Sequence, residues 1–186
     1  MNAYLDLRLL PDPEFPATIL MNALFNKLHR GLVEHGGQCI GISFPEFGER
    51  PDLGRRLRLH GKAGELEKLM ALNWLSGMRD HVASSAIMNV PANVKYRIVR
   101  RVQAKSSPER QRRRLMARKG LNDRQAQQAI PDSTAQRLNL PSITLSSRST
   151  GQQFQLFIEH LPLKEQAQAG LFSTYGLSTT ATVPWF

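Results

Sequence analysis

The stretch YLDLRLLPDPEFPATILMNALFNKLHRGLVEHGGQCIGISF, residues 4–44, changes its hydrophobic period twice. YLDLRLL, residues 4–10, alternates in part, as a strand does, and PDPEFP then breaks the chain. Over residues 17–35 the apolar side chains recur at helical spacing: Leu20, Leu24, Leu28 and Leu32, with Met21 and Phe25 beside them. Gly36-Gly37 stops this helix, with His35 in its last turn. CIGISF, residues 39–44, reads as a buried strand, and its Cys39 as a small buried hydrophobe.

Downstream the alternation returns. RRLRLH, residues 55–60, sets Leu57 and Leu59 against a polar face of Arg56, Arg58 and His60. Residues 62–81 go back to helical spacing through Leu66, Leu69, Met70, Trp74 and Leu75. Residues 94–103 form another strand, with Tyr96 and Ile98 on one face. The order β-α-β-β-α-β predicts an α+β fold whose N-terminal domain, 1–94, is ferredoxin-like, two helices on one face of an antiparallel sheet. That architecture hosts many functions and decides none.

Residues 95–186 have a different character. From Lys95 to Arg137 there are thirteen Lys or Arg against three acids, so this segment alone carries +10; the remainder holds twelve of each sign. The whole net charge of +10, and the pI of about 10.5, therefore lie in one stretch suited to a polyanion. Ser107 suits an N-cap, Pro108 a first helical turn and Gly120 a stop, which predicts an arginine-rich helix over about 108–119. With Arg110 at zero, Arg114 falls at about 40°, Arg118 at about 80° and Arg113 at about −60°, one guanidinium face. Leu115 and Met116 lie opposite, flanked by Arg112 and Lys119. A solvated helix mixes signs for i,i+4 support, and this one has a single acid, Glu109. Its apolar strip is too narrow for a membrane surface. Arginine fits phosphates and guanine edges bidentately, so nucleic acid is the better partner, RNA or DNA being left open.

A second helix is expected from near Asn122 to Ile130, ended by Pro131, then a short helical piece, STAQRLNL. SITLSSRST and QFQLFIEHL read as a hairpin, with Ser149, Thr150, Gly151 and Gln152 near its turn. The tail, GLFSTYGLSTTATVPWF, reads as mixed strand and loop. The 186-residue chain, 41% hydrophobic, can bury a core. One cysteine allows no internal disulfide, which fits a reducing cytosol. There is neither a signal-peptide pattern nor an apolar run of about 20 residues, and a cytoplasmic location is expected.

No Asp-x-Asp pair, His-Glu-x-x-His helix or Cys/His cluster is present, so no metal or other cofactor is expected. RNA cleavage can proceed without one. The 2′-hydroxyl is an internal nucleophile that needs a base, alignment and charge stabilisation. Histidine can be that base, and five compete. His35 is explained by its helix C-terminus, His60 lies on the polar face of its strand, and His81 and His160 sit near element ends. His29 lies at the edge of its helix's apolar arc. On pattern alone Ser147 is a hairpin hydroxyl, Phe154 and Tyr175 are core or edge aromatics, and Trp74 is core.

RVQAKSSPERQRRRLMARKG (101–120), LSSRSTGQQFQLFI (145–158), FSTYGLS (172–178), the final VPWF and LFNKLHRGLV (24–33), in this order along the chain apart from the last, resemble the CRISPR-associated endoribonuclease of subtype I-F (Csy) systems. The resemblance implies a metal-independent enzyme that binds the stem-loop of the CRISPR repeat. Such an enzyme cuts the pre-crRNA on the 3′ side of the hairpin, leaves a 2′,3′-cyclic phosphate and stays on the mature crRNA. It also implies a ferredoxin-like domain followed by an RNA-binding region with an arginine-rich helix and a hairpin. The partners expected are the repeat hairpin and the other subunits of the type I-F interference complex, the free protein being monomeric. Carried over by motif, His29 is the general base, Ser147 holds the ribose and Tyr175 orients the imidazole. Phe154 stacks at the foot of the stem, Arg114 reads the guanine there, and Arg101 and Gln103 read lower bases. Arg110, Arg112, Arg113 and Arg118 grip phosphates, and Ser149 and Thr150 belong to the same RNA-binding set. The chain departs from the family pattern at Ala117, where the helix often has another arginine, and at Thr179-Thr180-Ala181, where the tail is poor in glycine. A non-catalytic structured-RNA-binding module and a DNA-binding accessory protein are the alternatives that composition leaves open.

Overall fold

The computed structural model describes residues 1–48, 52–103, 108–131, 138–146, 151 and 153–186. It is an α+β protein of two compact units: Met1–Arg101 with Leu140–Phe186, and Val102–Asn139.

In the first unit, β1 (Ala3–Leu9) lies between β3 (Arg56–Gly61) and β4 (Val82–Ser84), and β2 (Gly41–Ser43) pairs with the outer side of β3. The order is β2-β3-β1-β4, all antiparallel, with the two-residue β5 (Met88–Asn89) also on β1. Helices α1 (Ala17–His35) and α2 (Ala63–Ala71) pack their apolar stripes on Leu5, Leu7, Leu57 and Leu59. α1 ends where expected: Gly36 takes φ +72° and its N–H reaches the Leu32 carbonyl.

Four readings need correction. The fourth strand of this sheet is β4, and residues 94–103 instead supply β6 (Lys95–Arg97) and β7 (Val99–Val102), which pair with other strands. α2 stops at Ala71, ten residues early, because Asn73 at φ 51° and Gly77 at φ 74° turn the chain. Trp74 and Met78 still reach the core from those turns, Trp74 against Gly31 of α1, where a Cβ would come within 2.9 Å of the ring. Cys39 is exposed, its thiol donating to Glu65 Oε2 at 3.4 Å, because the strand proper starts at Gly41.

The polar face of β3, fourth, is not open. Arg58 is 5% exposed and donates from Nε and Nη2 to the carboxylate of Asp6, its cross-strand neighbour, at 2.6 and 2.9 Å. Its guanidinium also lies over the rings of Tyr4 and Phe186. His60 is wholly buried, 2.8 Å from Ser43 Oγ, and burial with the nearby Arg58 charge holds it neutral, its pKa pushed down to about 3. Alternation cannot show that a second layer covers the charged face. Here the tail does so. β10 (Val183–Trp185) pairs with β6, and Trp185 packs with Phe47, His160 and Arg97.

A third sheet, β7-β9-β8, is built from β7, β8 (Ser142–Ser146) and β9 (Gln153–His160). β8 and β9 are the expected antiparallel hairpin, in register from Ser142↔Phe157 to Ser146↔Gln153. Ile143, Leu145, Leu156 and Ile158 join the same core.

The second unit holds α3 (Pro108–Lys119) and α4 (Asp123–Ala129). Gly120, φ +63°, ends α3, and Asn122 caps α4 with a reciprocal Gln125 capping box. The expected cap at Ser107 lies outside the described residues, as does most of STAQRLNL, whose residues 138–140 have no regular structure.

Candidate active site

The site starts from α1. His29 sits on the turn after Phe25, at the border of the buried stripe, and is half-buried. Its Nδ1 is 2.9 Å from the Thr174 carbonyl oxygen. A carbonyl can only accept, so Nδ1 carries the hydrogen. In the neutral ring the proton-accepting lone pair is then on Nε2. One face of the imidazole is covered by Tyr175, with centroids 4.2 Å apart and planes 16° from parallel. Tyr175 lies parallel to Phe25 as well, at 6.4 Å, so two rings one helical turn apart on α1 meet the same tyrosine.

The loop that presents Thr174 and Tyr175 is pinned along the free edge of β2. The Ile42 N–H donates to the Gly176 carbonyl at 2.9 Å, and the Ser178 N–H to Val99 at 3.0 Å. Gly176 is required there. It has φ +69°, and a Cβ would lie 2.6 Å from Ile42 Cγ2. The glycine-poor end of the loop is closed by a side chain instead. Ser178 is buried, donates to the Leu171 carbonyl and accepts the N–H groups of Thr180 and Ala181.

Arg101 also lies beside Tyr175. Its guanidinium carbon is 5.8 Å from the ring centres of both Tyr175 and Phe154. Its Nε is buried without a hydrogen-bond partner among the described residues. Arg101, Ser173, Tyr175, Ser178 and Thr180 line an open cleft of about 600 Å³. Phe154 on β9 is half-buried and leans on the core.

The structure therefore brings His29, Tyr175, Arg101 and Phe154 into one chain of contacts. Ser147, Ser149 and Thr150 lie outside the described residues. Gln103 is exposed. Within the second unit, Arg110, Arg113, Arg114 and Arg118 are exposed, while Arg112, Leu115 and Met116 on the opposite side of α3 are half-buried, as the helical wheel requires. Ala117 is exposed too and falls at about −20° on the same wheel, between Arg113 and Arg110 within the charged face. Thr174 acts through its backbone oxygen, which leaves no mark in the side-chain pattern. Phe25 was visible only as core. Of the other histidines, His60 is the hydrogen-bonded core residue described above. His160 is stacked on Phe47 at 4.0 Å and held near pKa 3 by burial, and His81 pairs with Asp12 at 2.9 Å.

Fold and site together define a basic α+β protein with the His29 imidazole held in one tautomer beside Tyr175, and a helical unit faced with arginine. The family model for CRISPR-associated protein Cas_Csy4 matches residues 4–186. Over the full length of both chains, 54% of residues are identical to the CRISPR-associated endonuclease Cas6/Csy4 of Pseudomonas aeruginosa (strain UCBPP-PA14). The figure is 45%, again over both full lengths, for the CRISPR-associated endonuclease Cas6/Csy4 of Escherichia coli (strain UTI89 / UPEC). The chain belongs to the Cas_Csy4 family of CRISPR-associated proteins.

Proposed function

We propose that this protein is a metal-independent endoribonuclease that binds the stem-loop of a CRISPR repeat and cuts the pre-crRNA on its 3′ side. The observation that carries the reading is the fixed tautomer of His29, whose Nδ1 hydrogen is engaged by Thr174, which puts the proton-accepting lone pair on Nε2. The names of the relatives, endonucleases associated with CRISPR, set the reaction class.

In the proposed reaction Nε2 takes the proton of the 2′-hydroxyl beside the scissile phosphate. The 2′-oxygen bonds to phosphorus, the bond to the 5′-oxygen breaks, and that oxygen takes a proton from solvent. The upstream fragment keeps a 2′,3′-cyclic phosphate and the downstream one a 5′-hydroxyl. No step calls for a metal, because nucleophile and electrophile belong to one chain and alignment replaces activation. The imidazolium that forms lies against the π-face of Tyr175, which stabilises it. Ser147 holds the ribose. Phe154 stacks on the base pair at the foot of the stem, Arg114 reads its guanine, and Arg101, Gln103, Ser149 and Thr150 contact neighbouring nucleotides. Arg110, Arg112, Arg113 and Arg118 hold phosphates.

Residues 1–94 are, in this reading, a ferredoxin-like domain that carries His29, which the strand order β2-β3-β1-β4 with two helices supports. Residues 95–186 are the RNA-binding region. The protein works in the cytoplasm, stays on the crRNA it has made, and joins the other subunits of a type I-F interference complex.

The test is cleavage of a repeat hairpin in EDTA, with a substrate carrying 2′-deoxyribose at the cut as control. Cutting should persist in EDTA, vanish with the deoxy substrate, and fall by roughly 10²- to 10⁴-fold in His29→Ala. A demand for Mg²⁺, or a cut deoxy strand, overturns the mechanism. Tight binding with RNA left intact favours a non-catalytic RNA-binding protein.

A further inference from the structure

β8 is an outer strand: β9 pairs with one of its edges, and the other faces α1. An outer edge offers unpaired N–H and C=O groups that must find partners when half-buried. Two side-chain amides of α1 supply them. Asn22 Oδ1 accepts the N–H of Thr144 at 3.0 Å, Asn26 Nδ2 donates to the Thr144 carbonyl at 3.2 Å, and Asn26 Oδ1 accepts the N–H of Ser146 at 3.3 Å. A fourth bond, from Asn26 Nδ2 to the Asn22 carbonyl at 2.9 Å, ties the two turns together.

The spacing explains why this works. Two strand residues advance by roughly 6.6–6.8 Å, and four helical residues by about 6 Å. Asn22 and Asn26 therefore serve Thr144 and Ser146 in step, with strand and helix running the same way. Asparagine is a weak helix former, and only an amide combines donor and acceptor at this reach. His29 stands on the next turn of the same helix, and Ser147 is the next residue after Ser146.

We propose that Asn22 and Asn26 are positioning residues for cleavage: their amide ladder fixes the register on α1, the helix that carries His29, of β8, the strand whose next residue in sequence is Ser147. This rests on the reading above, in which Ser147 holds the ribose. A strand edge without such pegs is free to slide, and a shift of about 1 Å can cost on the order of 100-fold in rate.

The experiment is a double-mutant cycle on a repeat hairpin RNA that the unaltered protein cuts. Single-turnover rates are measured with protein in excess, so that a smaller folded fraction does not lower the rate constant. Asn26→Ala, and Asn22→Ala as an independent second variant, should bind the hairpin in a gel shift within about twofold of normal and cut roughly 10- to 100-fold more slowly. In a Ser147→Ala background the same substitutions should change the rate by less than about threefold, because the hydroxyl through which they act is gone. Equal slowing in both backgrounds overturns the proposal, as does cutting at the normal rate by both asparagine variants when Ser147→Ala alone is slow. If Ser147→Ala itself cuts normally, the role given to Ser147 fails first and the ladder's role falls with it.

Discussion

Replacing Tyr175 by leucine removes the ring that lies 4.2 Å from the His29 imidazole while keeping an apolar side chain against Phe25. Under the proposed reaction the imidazole is neutral at the start and cationic in the transition state. A π-face beside it therefore stabilises the transition state more than the ground state, and lowers the barrier. A cation over a tyrosine ring is worth about 0.5–1 kcal/mol when exposed and about 2 kcal/mol when desolvated. His29 is half-buried, so the loss should fall between, about 1–2 kcal/mol, or roughly 5- to 30-fold in rate. Tyr175→Phe keeps the π-face and loses only the hydroxyl, so it should cut within about twofold of normal. The assay is single-turnover cleavage at saturating protein, with hairpin affinity measured separately. A phenylalanine variant as slow as the leucine variant would show that the hydroxyl acts, and a leucine variant at full speed would show that the stack does nothing. Either result refutes the argument.

Arg114→Ala should weaken hairpin binding by about 1–3 kcal/mol and relax discrimination at the base it reads, whereas Arg113→Ala should lower the salt slope of binding by about one; filter binding across salt concentrations separates the two. Gly176→Ala must hold φ +69° with a Cβ 2.6 Å from Ile42 Cγ2, and should cost about 1–3 kcal/mol in a denaturant titration. An unchanged midpoint would mean the loop is not pinned there. His60 is neutral in the fold down to about pH 3, while the unfolded chain takes up its proton near about 6.5. Between those values the unfolded state holds more protons, so its contribution to stability is complete above about pH 6.5 and is lost as pH falls. The slope should approach about 1.4 kcal/mol per pH unit for this residue, with His160 acting in the same direction, and His60→Gln should flatten it in unfolding curves from pH 6 to pH 4.

Much of the architecture could be read from consecutive residues. The leucine stripe of α1, its glycine stop, the bounds of α3 and the β8–β9 hairpin all appear where periodicity and capping put them. The exposure of Arg110, Arg113, Arg114 and Arg118 on one side of α3 also follows from helical spacing. His29 could be placed at the border of the stripe, but not chosen over four other histidines by spacing; the resemblance chose it. Asn22 and Asn26 were in plain view one turn apart, yet no pattern rule says what a polar pair beside a leucine stripe will meet.

Period and capping are local, set by backbone sterics and by which neighbours lie three or four residues away, so the primary chain carried the helices, the hairpin and the arginine face. Partners distant along the chain decided the rest. His29 and the carbonyl that selects its tautomer are 145 positions apart, and Asn26 and Thr144 are 118 apart. Whether the charged side of β3 met water or the C-terminal tail also depended on chain closure. Burial, hydrogen-bond direction and ring stacking arise only when such segments are brought together, and those three properties hold one imidazole in a defined tautomer against Tyr175 and bury another, neutral, in the core.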